Sequence, residues 1–409
     1  MSLFDVTKFK QKGTERLSSI SGCGACGLSK RASYPKLSYK GKGKSGVLIV
    51  GDAPTEQEDE CGIAGASDHY LPFKRLLRDD FDFEVWEECW FVNAIGCRTS
   101  NPNGQHITYC RPRLFKIIEE LKPKVIILLG QTALQAVIGN FWKHSMGSIQ
   151  KWHGNCIPDR NVNAWLCPLL NADYLDNKKN KVFNVLFSKA VKRILQKIDQ
   201  PVKTFKEEAS CVECITDENE LKHQLNLLLE FPPKMLAMDY ETTGLKPAAD
   251  WHNITCCSFC CDQERVIAFP IPEKGTYNRK LLKKILYTKR IPKSAHNMKF
   301  EHRWTKAIFN VEIQNWRWDT MIAAHILDNR PQTKSLKYQA YINFGTGSYD
   351  QFVSKYLKAL DDDKKQYGDN AKNQIHKIPM NEQLIYCGID SLVEYRLALK
   401  QMKGLGTCL

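Results

Sequence analysis

An apolar run, KMLAMDYETTGL, ends on two carboxylates, Asp239 and Glu241. On a β-strand, residues i and i+2 point to one face, so such a run converges both acids. Two like charges on one face repel unless a cation sits between them, and oxygen donors at a strand end suit Mg²⁺ or Mn²⁺. Alone, a D-x-E pair is common, and two solvated acids have the same spacing. Three further segments accompany it. Asn297, Lys299, Phe300 and Glu301 follow a turn in IPKSAHNMKFEHRW, and Asp319 opens the apolar helix of WDTMIAAHILDN. Tyr386 and Asp390 stand four apart in PMNEQLIYCGIDSLVEYRLALKQM, a long helix on which i and i+4 share a face. A tyrosine one turn from a carboxylate can orient a water that a metal activates.

Sixteen cysteines are a second source of chemistry. The N-terminus, MSLFDVTKFKQKGTERL, has no apolar run after its charges, so no secretory signal is read and a cytoplasmic location is expected. An intracellular chain does not keep structural disulfides, which leaves metal ligation or core packing. Cys23 and Cys26 form a C-x-x-C in the Gly-rich SGCGACGLS, where nothing requires a buried apolar residue. Cys97 and Cys110 flank a polar loop, GCRTSNPNGQHITYC. The segment ITCCSFCCDQERVIAFPI reads as a β-hairpin in which Cys256, Cys257, Cys260 and Cys261 pack as small hydrophobes. Cys211 and Cys214, in the strand-like ASCVECITD, read the same way.

The elements that would position these groups alternate in the N-terminal half. GVLIVG (46–51) and WFVNAI (90–95) are short β-rich runs. After Cys110, RPRLFKIIEELKP repeats apolar residues at Leu114, Ile117, Ile118 and Leu121, a helical period closed by Pro123. VIILLG is a fully apolar strand, and QTALQAVIG a helix. Such alternation predicts an α/β fold with a parallel sheet, whose ligands bind at the carboxyl ends of strands. GDAPTEQED, Asn93 and Cys97 all fall at such ends. The polar stretch IDQPVKTFKEEA is the expected boundary, giving domains over 1–200 and 211–409 joined by a linker at 201–210.

From Cys23 to about Leu175 the chain resembles the iron–sulfur uracil-DNA glycosylases, family 4 and its relatives. The motifs that carry the resemblance are Cys23-x-x-Cys26, GDAPTEQED, NAIGCR, CRPRL, LLGQTALQAVIG and NADYL, in the family's order. The resemblance implies a three-layer α/β/α domain in which Cys23, Cys26, Cys97 and Cys110 hold a [4Fe–4S] cluster, four thiolates being what such a cluster requires. It places Asn93 where the uracil edge is read. Departures fall on the chemistry: Asp52 replaces the usual Glu, and Thr55 the usual Gly. GIAGAS offers no phenylalanine to stack on the base. Asn171 and Ala172 replace His-Pro, and neutral Asn is a weaker partner for a departing uracil anion than His. The expectation is a glycosylase-like DNA-binding module, with active uracil excision as the alternative.

Residues 211–403 resemble the DEDD 3′–5′ exonucleases with Tyr in the last motif, in particular the proofreading domain of A-family DNA polymerases. The matching segments are DYETTGL, NMKFE, DTMIAAHIL, Ser335-Leu336 and YCGID. The resemblance implies an RNase H-like α/β domain with two Mg²⁺ or Mn²⁺ held by Asp239, Glu241 and Asp390. Tyr386 would position the attacking water, and Glu301 stands where the family has Asp. Thr242 and Leu245 match positions touching the 3′-terminal nucleotide, and Asn297 belongs to the same substrate-facing motif. The implied reaction is two-metal hydrolysis of single-stranded or frayed 3′ ends. A glycosylase-like domain followed by this exonuclease resembles the N-terminal part of DNA polymerases of large Bacillus-infecting phages. A polymerase domain or subunit is then the expected partner, the host cytoplasm the expected compartment, and a DNA-tethering replisome subunit the non-catalytic alternative.

Composition agrees. Of 409 residues 43% are hydrophobic and 25% charged, ordinary globular usage that excludes a disordered chain. The longest aliphatic stretch, Val125 to Leu129, is far short of the roughly 20 residues of a spanning helix, so no membrane is expected. Lys and Arg number 59 against 45 Asp and Glu, and the net charge of +14 suits a polyanionic partner, DNA first. The triple acid Asp361–Asp363 reads as a solvated insertion.

Overall fold

The computed structural model describes residues 25–175, 182–203, 205–247, 249 and 251–407. Cys23 lies outside the described residues. The chain divides into two compact units, Met1–Thr204 with Tyr341–Ser348, and Phe205–Ala340 with Tyr349–Leu409. Among the described residues no helix is long and apolar enough to cross a membrane.

The first unit is built on strands β1 (Val47–Gly51), β2 (Cys89–Asn93), β3 (Val125–Leu129), β4 (Ile157–Asp159) and β5 (Ala164–Leu169). They lie in the order β2-β1-β3-β5-β4, parallel except for the edge strand β4. β1, β3 and β5 are buried along their whole length, the uninterrupted apolar pattern of a parallel sheet covered on both faces. Helices α1 (Glu56–Cys61), α2 (Leu71–Phe81), α3 (Val85–Glu88), α4 (Gly104–Leu121), α5 (Gln131–Phe141), α6 (Ile149–Trp152) and α7 (Val182–Leu195) connect and follow them. Gly51 pairs with Asn93 in register, so the GDAP loop and Asn93 emerge side by side.

One expectation is corrected here. Cys110 does not precede the helix but lies inside it, because the Asn103 side chain accepts the His106 N–H at 3.0 Å and starts α4 at Gly104. A side-chain cap of this kind outweighs the helix-start signal of Pro112, which sits within the helix.

The second unit holds a mixed sheet of β6 (Val212–Cys214), β7 (Leu236–Thr242), β8 (Ile254–Cys260), β9 (Val266–Pro270), β10 (Lys293–Ala295) and β11 (Trp316–Asp319), ordered β11-β10-β7-β8-β9-β6. β8 and β9 are the cysteine-rich hairpin, antiparallel as expected, with Cys256, Cys257 and Cys260 buried. The helices are α8 (Glu218–Glu230), α9 (Tyr277–Tyr287), α10 (Lys299–Phe309), α11 (Thr320–Leu327), α12 (Leu336–Phe344, which belongs to this unit only as far as Ala340), α13 (Asp361–Tyr367) and α14 (Met380–Gly404). The exposed acids Asp361–Asp363 form the first turn of α13.

Period-2 alternation along β7 fixes which face carries chemistry. Leu236, Met238 and Tyr240 enter the core formed with Leu225, Leu282, Ile285 and Trp304 of α8, α9 and α10. Met235 and Ala237 enter the opposite core, with Leu392, Tyr395 and Ala398 of α14. Asp239 and Glu241 continue that second face and so meet α14. Gly388 lets α14 come close: a Cβ there would lie 2.5 Å from Val212 Cγ1 on β6.

Candidate functional site

Three elements of the second unit bring acids together. β7 supplies Asp239 and Glu241, α10 supplies Glu301, and α14 supplies Asp390 and Tyr386. One donor atom from each of Asp239, Glu241 and Cys387 lies within 4.8 Å of the other two. Glu241, Glu301, Tyr386 and Asp390 are all buried. Burial pushes the Asp239 carboxyl well above the usual carboxylate range, with Asp390 adding to the rise and Lys337 opposing it. Glu241 is raised in the same way, by burial first and Asp239 second, and Glu301 likewise. Burial also raises Tyr386, with the Asp390 and Glu241 charges adding to it.

The donor set fits a divalent cation that favours oxygen. Glu301 Oε2 is buried without a hydrogen-bond partner, an expensive state that a bound cation or its water would relieve. The site is that of acids assembled at a cost, which a positive charge repays.

The other residues expected at this site sit around it. Asn297 adopts a left-handed backbone (φ 77°), which Asn tolerates, and its N–H donates to Asp319 Oδ1 at 3.2 Å. Asp319 also accepts from Met298 N at 3.0 Å and from Met321 and Ile322 N at 2.9 and 3.1 Å, so it caps α11 and pins the loop after β10. Thr242 is buried, its hydroxyl donating to the Gly244 carbonyl at 2.8 Å. Leu245 is 70% exposed and lines a cavity of 230 Å³ together with Asn297, Phe300, Lys246, Lys299 and Arg303. An apolar tip, an aromatic ring and three cations are what a nucleotide's base and phosphates require.

Three residues of this cluster carry no signal in the sequence reading. Lys337, on the first turn of α12, bonds Asp390, and Tyr349 donates its hydroxyl to the same carboxylate oxygen. Cys387 is a third. It does pack, but its Sγ stands 3.5 Å from the Asp239 carbonyl oxygen and 3.2 Å from Ser258 Oγ, directly behind the acids. Its neighbour Tyr386 in the sequence is the one available clue.

In the first unit, Asn93 is wholly buried. Its Nδ2 donates to Glu58 Oε1 at 3.0 Å, while its Oδ1 is without a partner. Glu58 also accepts the Gly65 and Thr55 N–H groups, so it is held from three sides. Tyr70 and Asn93 both crowd Gly51: a Cβ there would lie 2.5 Å from the Tyr70 hydroxyl and 2.6 Å from Asn93 Oδ1. The Tyr70 ring meets Phe91 edge-on at 4.8 Å. Asn171 Oδ1 stands 2.8 Å from His69 Nε2, and His69 Nδ1 stands 2.7 Å from Asp173. An imidazole therefore lies against the position where the family's histidine is replaced, a contact the sequence reading does not contain.

Asp52 accepts the Ala133 N–H at 2.9 Å, and burial pushes its carboxyl from 3.8 up to about 6. The raised value means that the folded unit favours the protonated acid. That contribution is fully present below pH ~4 and is lost as pH rises through about 6. Asp52→Asn keeps an oxygen for Ala133 and removes the charge. It should raise the unfolding free energy at pH 8 by ~3 kcal/mol at most, seen as a higher urea midpoint, and leave it unchanged at pH 4. An equal shift at both pH values would contradict this.

Of the cysteines expected to hold a cluster, Cys97 and Cys110 are buried and Cys26 is half-buried. Cys97 Sγ accepts the Lys36 N–H at 3.3 Å. Arg113 braces the same region, donating to the carbonyls of Leu37 and Asn93 at 2.8 and 2.5 Å. Among the described residues Cys26, Cys97 and Cys110 form no group of ligand atoms close enough to share one metal ion.

Comparison with known proteins gives each unit a family. Residues 212–405 match the family described as 3′-5′ exonuclease, and residues 39–198 match the uracil DNA glycosylase superfamily. A type-4 uracil-DNA glycosylase of Pyrobaculum aerophilum is 35% identical over 130 residues, 29% of this chain and 61% of that protein. A DNA polymerase of Bacillus phage SP01 is 32% identical over 122 residues, 30% of this chain and 12% of that protein. The chain thus spans less than two-thirds of either relative. Among solved structures, Escherichia coli RNase D covers 47% of this chain and 44% of its own, at 17% identity and a TM-score of 0.32, too low to add to the family match.

Proposed function

We propose that this chain, which joins a uracil-DNA glycosylase superfamily domain to a 3′–5′ exonuclease domain, removes nucleotides from the 3′ ends of DNA as the proofreading part of a phage-type replicative polymerase. The observation that carries the reading is the approach of Asp239 and Glu241 to within 4.8 Å, with the Asp390 charge acting on both and with Glu301, whose buried Oε2 lacks a partner, under the charge of Asp239. Identity to a phage DNA polymerase supports the polymerase context.

Asp239, Glu241 and Asp390 would hold Mg²⁺ or Mn²⁺, which when bound supplies positive charge to the reacting phosphate and acidifies water. The Tyr386 hydroxyl would orient that water, and Glu301 would accept its hydrogen bond. The water oxygen bonds to phosphorus, the P–O3′ bond breaks, and the 3′ oxygen leaves with a proton. Leu245, Thr242 and Asn297 would seat the terminal nucleotide, with Lys299 and Arg303 facing the phosphates. Frayed or single-stranded ends fit a cavity reached by one strand. A 5′-labelled single strand should shorten stepwise in Mg²⁺, releasing nucleoside 5′-monophosphates, and stay intact in EDTA. A strand intact under both conditions overturns the reading.

The first unit would serve as a DNA-binding module, with Cys23, Cys26, Cys97 and Cys110 holding a [4Fe–4S] cluster that braces its loops. What favours binding over excision is Asn171 at the family's histidine position, together with a buried Asn93 whose Nδ2 is already engaged by Glu58. A uracil-containing duplex should gain no abasic sites with the wild-type protein. Abasic sites above the rate seen with thymine in place of uracil would favour the repair reading instead.

A further inference from the structure

The exonuclease acids are met by a lysine that the proposed mechanism does not use. Lys337 Nζ bonds Asp390 Oδ1 and stands 3.1 Å from the Tyr349 hydroxyl. Its ammonium lies 4.3 Å from the Tyr349 ring centroid and 4.4 Å from that of Tyr386, so two aromatic faces enclose it. The side chains of the pair are only 19% and 10% exposed. A buried ion pair of this kind is kept because losing one partner strands the other charge in a poorly solvated place. Tyr349 donates to the same Asp390 oxygen. A carboxylate oxygen that holds an ammonium and a phenol has no lone pair left in place for a cation.

We propose that Lys337 is the resident counter-cation of this acid site: it holds Asp390 Oδ1 while divalent metal is absent and has to release that oxygen before metal binds it. This rests on the proposed exonuclease function and adds a positioning residue to it. The lysine reaches beyond its partner, since its charge also acts on Asp239 and Glu241. It therefore offsets the repulsion that would otherwise splay β7 from α14. The same contact makes it a competitor of metal. A ligand whose binding-competent state is fractionally populated loses apparent affinity by that fraction, so a lysine on Asp390 nine-tenths of the time weakens metal binding about tenfold. Lys337 would then set the metal concentration at which the nuclease awakens.

The test uses the full 409-residue chain, freed of metal with EDTA and titrated with Mn²⁺ by electron paramagnetic resonance, with no substrate present. Lys337→Met should bind Mn²⁺ at about tenfold lower concentration than wild type. It should also melt earlier than wild type in EDTA and recover when Mn²⁺ is added. Lys337→Arg, which keeps the charge, should hold the wild-type Mn²⁺ requirement. Tyr349→Phe removes the second donor without touching the ammonium and should shift Mn²⁺ binding in the same direction by a smaller factor. It also serves if Lys337→Met does not fold. Unchanged or weaker Mn²⁺ binding in the folded Lys337→Met or Tyr349→Phe protein overturns the proposal. Asp390→Asn separates the two readings: Mn²⁺ binding undiminished in that variant removes Asp390 from the metal site, and the exonuclease reading fails with it.

Discussion

Asp239→Ala protein, incubated with a labelled single strand and Mg²⁺, should leave the strand at full length, with a rate at least about a thousandfold below wild type. That corresponds to ~4 kcal/mol of lost transition-state stabilisation. The size follows from where Asp239 stands. Its charge acts on Asp390, Glu241 and Glu301 alike, so it is the common neighbour of every acid in the site. Removing it takes away a donor and with it the reason for a cation to remain. Asp239→Asn makes the argument sharper, because it keeps the shape. In EDTA the Asn protein should be more stable than wild type, since burial already opposes the charged form of this carboxyl. Activity should fall as far as in the Ala variant. Higher stability with lower activity is what a site assembled against its own repulsion gives. Cleavage within tenfold of wild type by either variant would remove Asp239 from the chemistry.

Arg396→Ala should cost about 3–5 kcal/mol of the second unit's stability without touching the acids. Arg396 lies on α14 and is buried, with Nη1 3.4 Å from Glu208 Oε1. Its Nε donates to the Gln263 carbonyl at 2.8 Å, and its guanidinium lies 5.0 Å from the Phe205 ring centroid. Truncation leaves the Glu208 carboxylate buried beside a cavity, and both effects act in the same direction. The loss should appear as a lower urea midpoint. Below that midpoint, Mg²⁺-dependent cleavage should stay close to the wild-type rate, because Arg396 meets Glu208, Gln263, Cys211 and Phe205, none of which is an acid of the site. A double variant, Arg396→Met with Glu208→Gln, should recover part of the loss by removing the stranded charge. A midpoint unchanged in Arg396→Ala would show that the ion pair contributes nothing net.

Local periodicity made much of the site legible. A strand turns its side chains by alternation, so Asp239 and Glu241 had to share a face once β7 was read as a strand. A helix returns every four residues, so Tyr386 and Asp390 had to share one on α14. The cysteine hairpin followed from two apolar runs and a polar turn. Cys110 was misplaced because one side-chain cap, Asn103, decides where α4 begins, and proline inside the helix points to a later start. Cys387 drew no reading of its own because nothing local separates a thiol facing a core from one facing an acid.

The sequence by itself determined the α/β character of both halves, the acids that could work together on each element, and the basic balance that suits DNA. Those properties depend on residue type and on spacings of two to four, which the backbone converts directly into direction. Only the tertiary structure decided that Lys337 and Tyr349 close on Asp390, that Cys387 backs Asp239, that His69 meets Asn171, and that Tyr70 and Asn93 both crowd Gly51. Of these pairs, those joining separate elements depend on how those elements dock. Docking is set by the sum of many apolar contacts and close approaches such as that of Gly388 to Val212. No spacing in the chain encodes that sum.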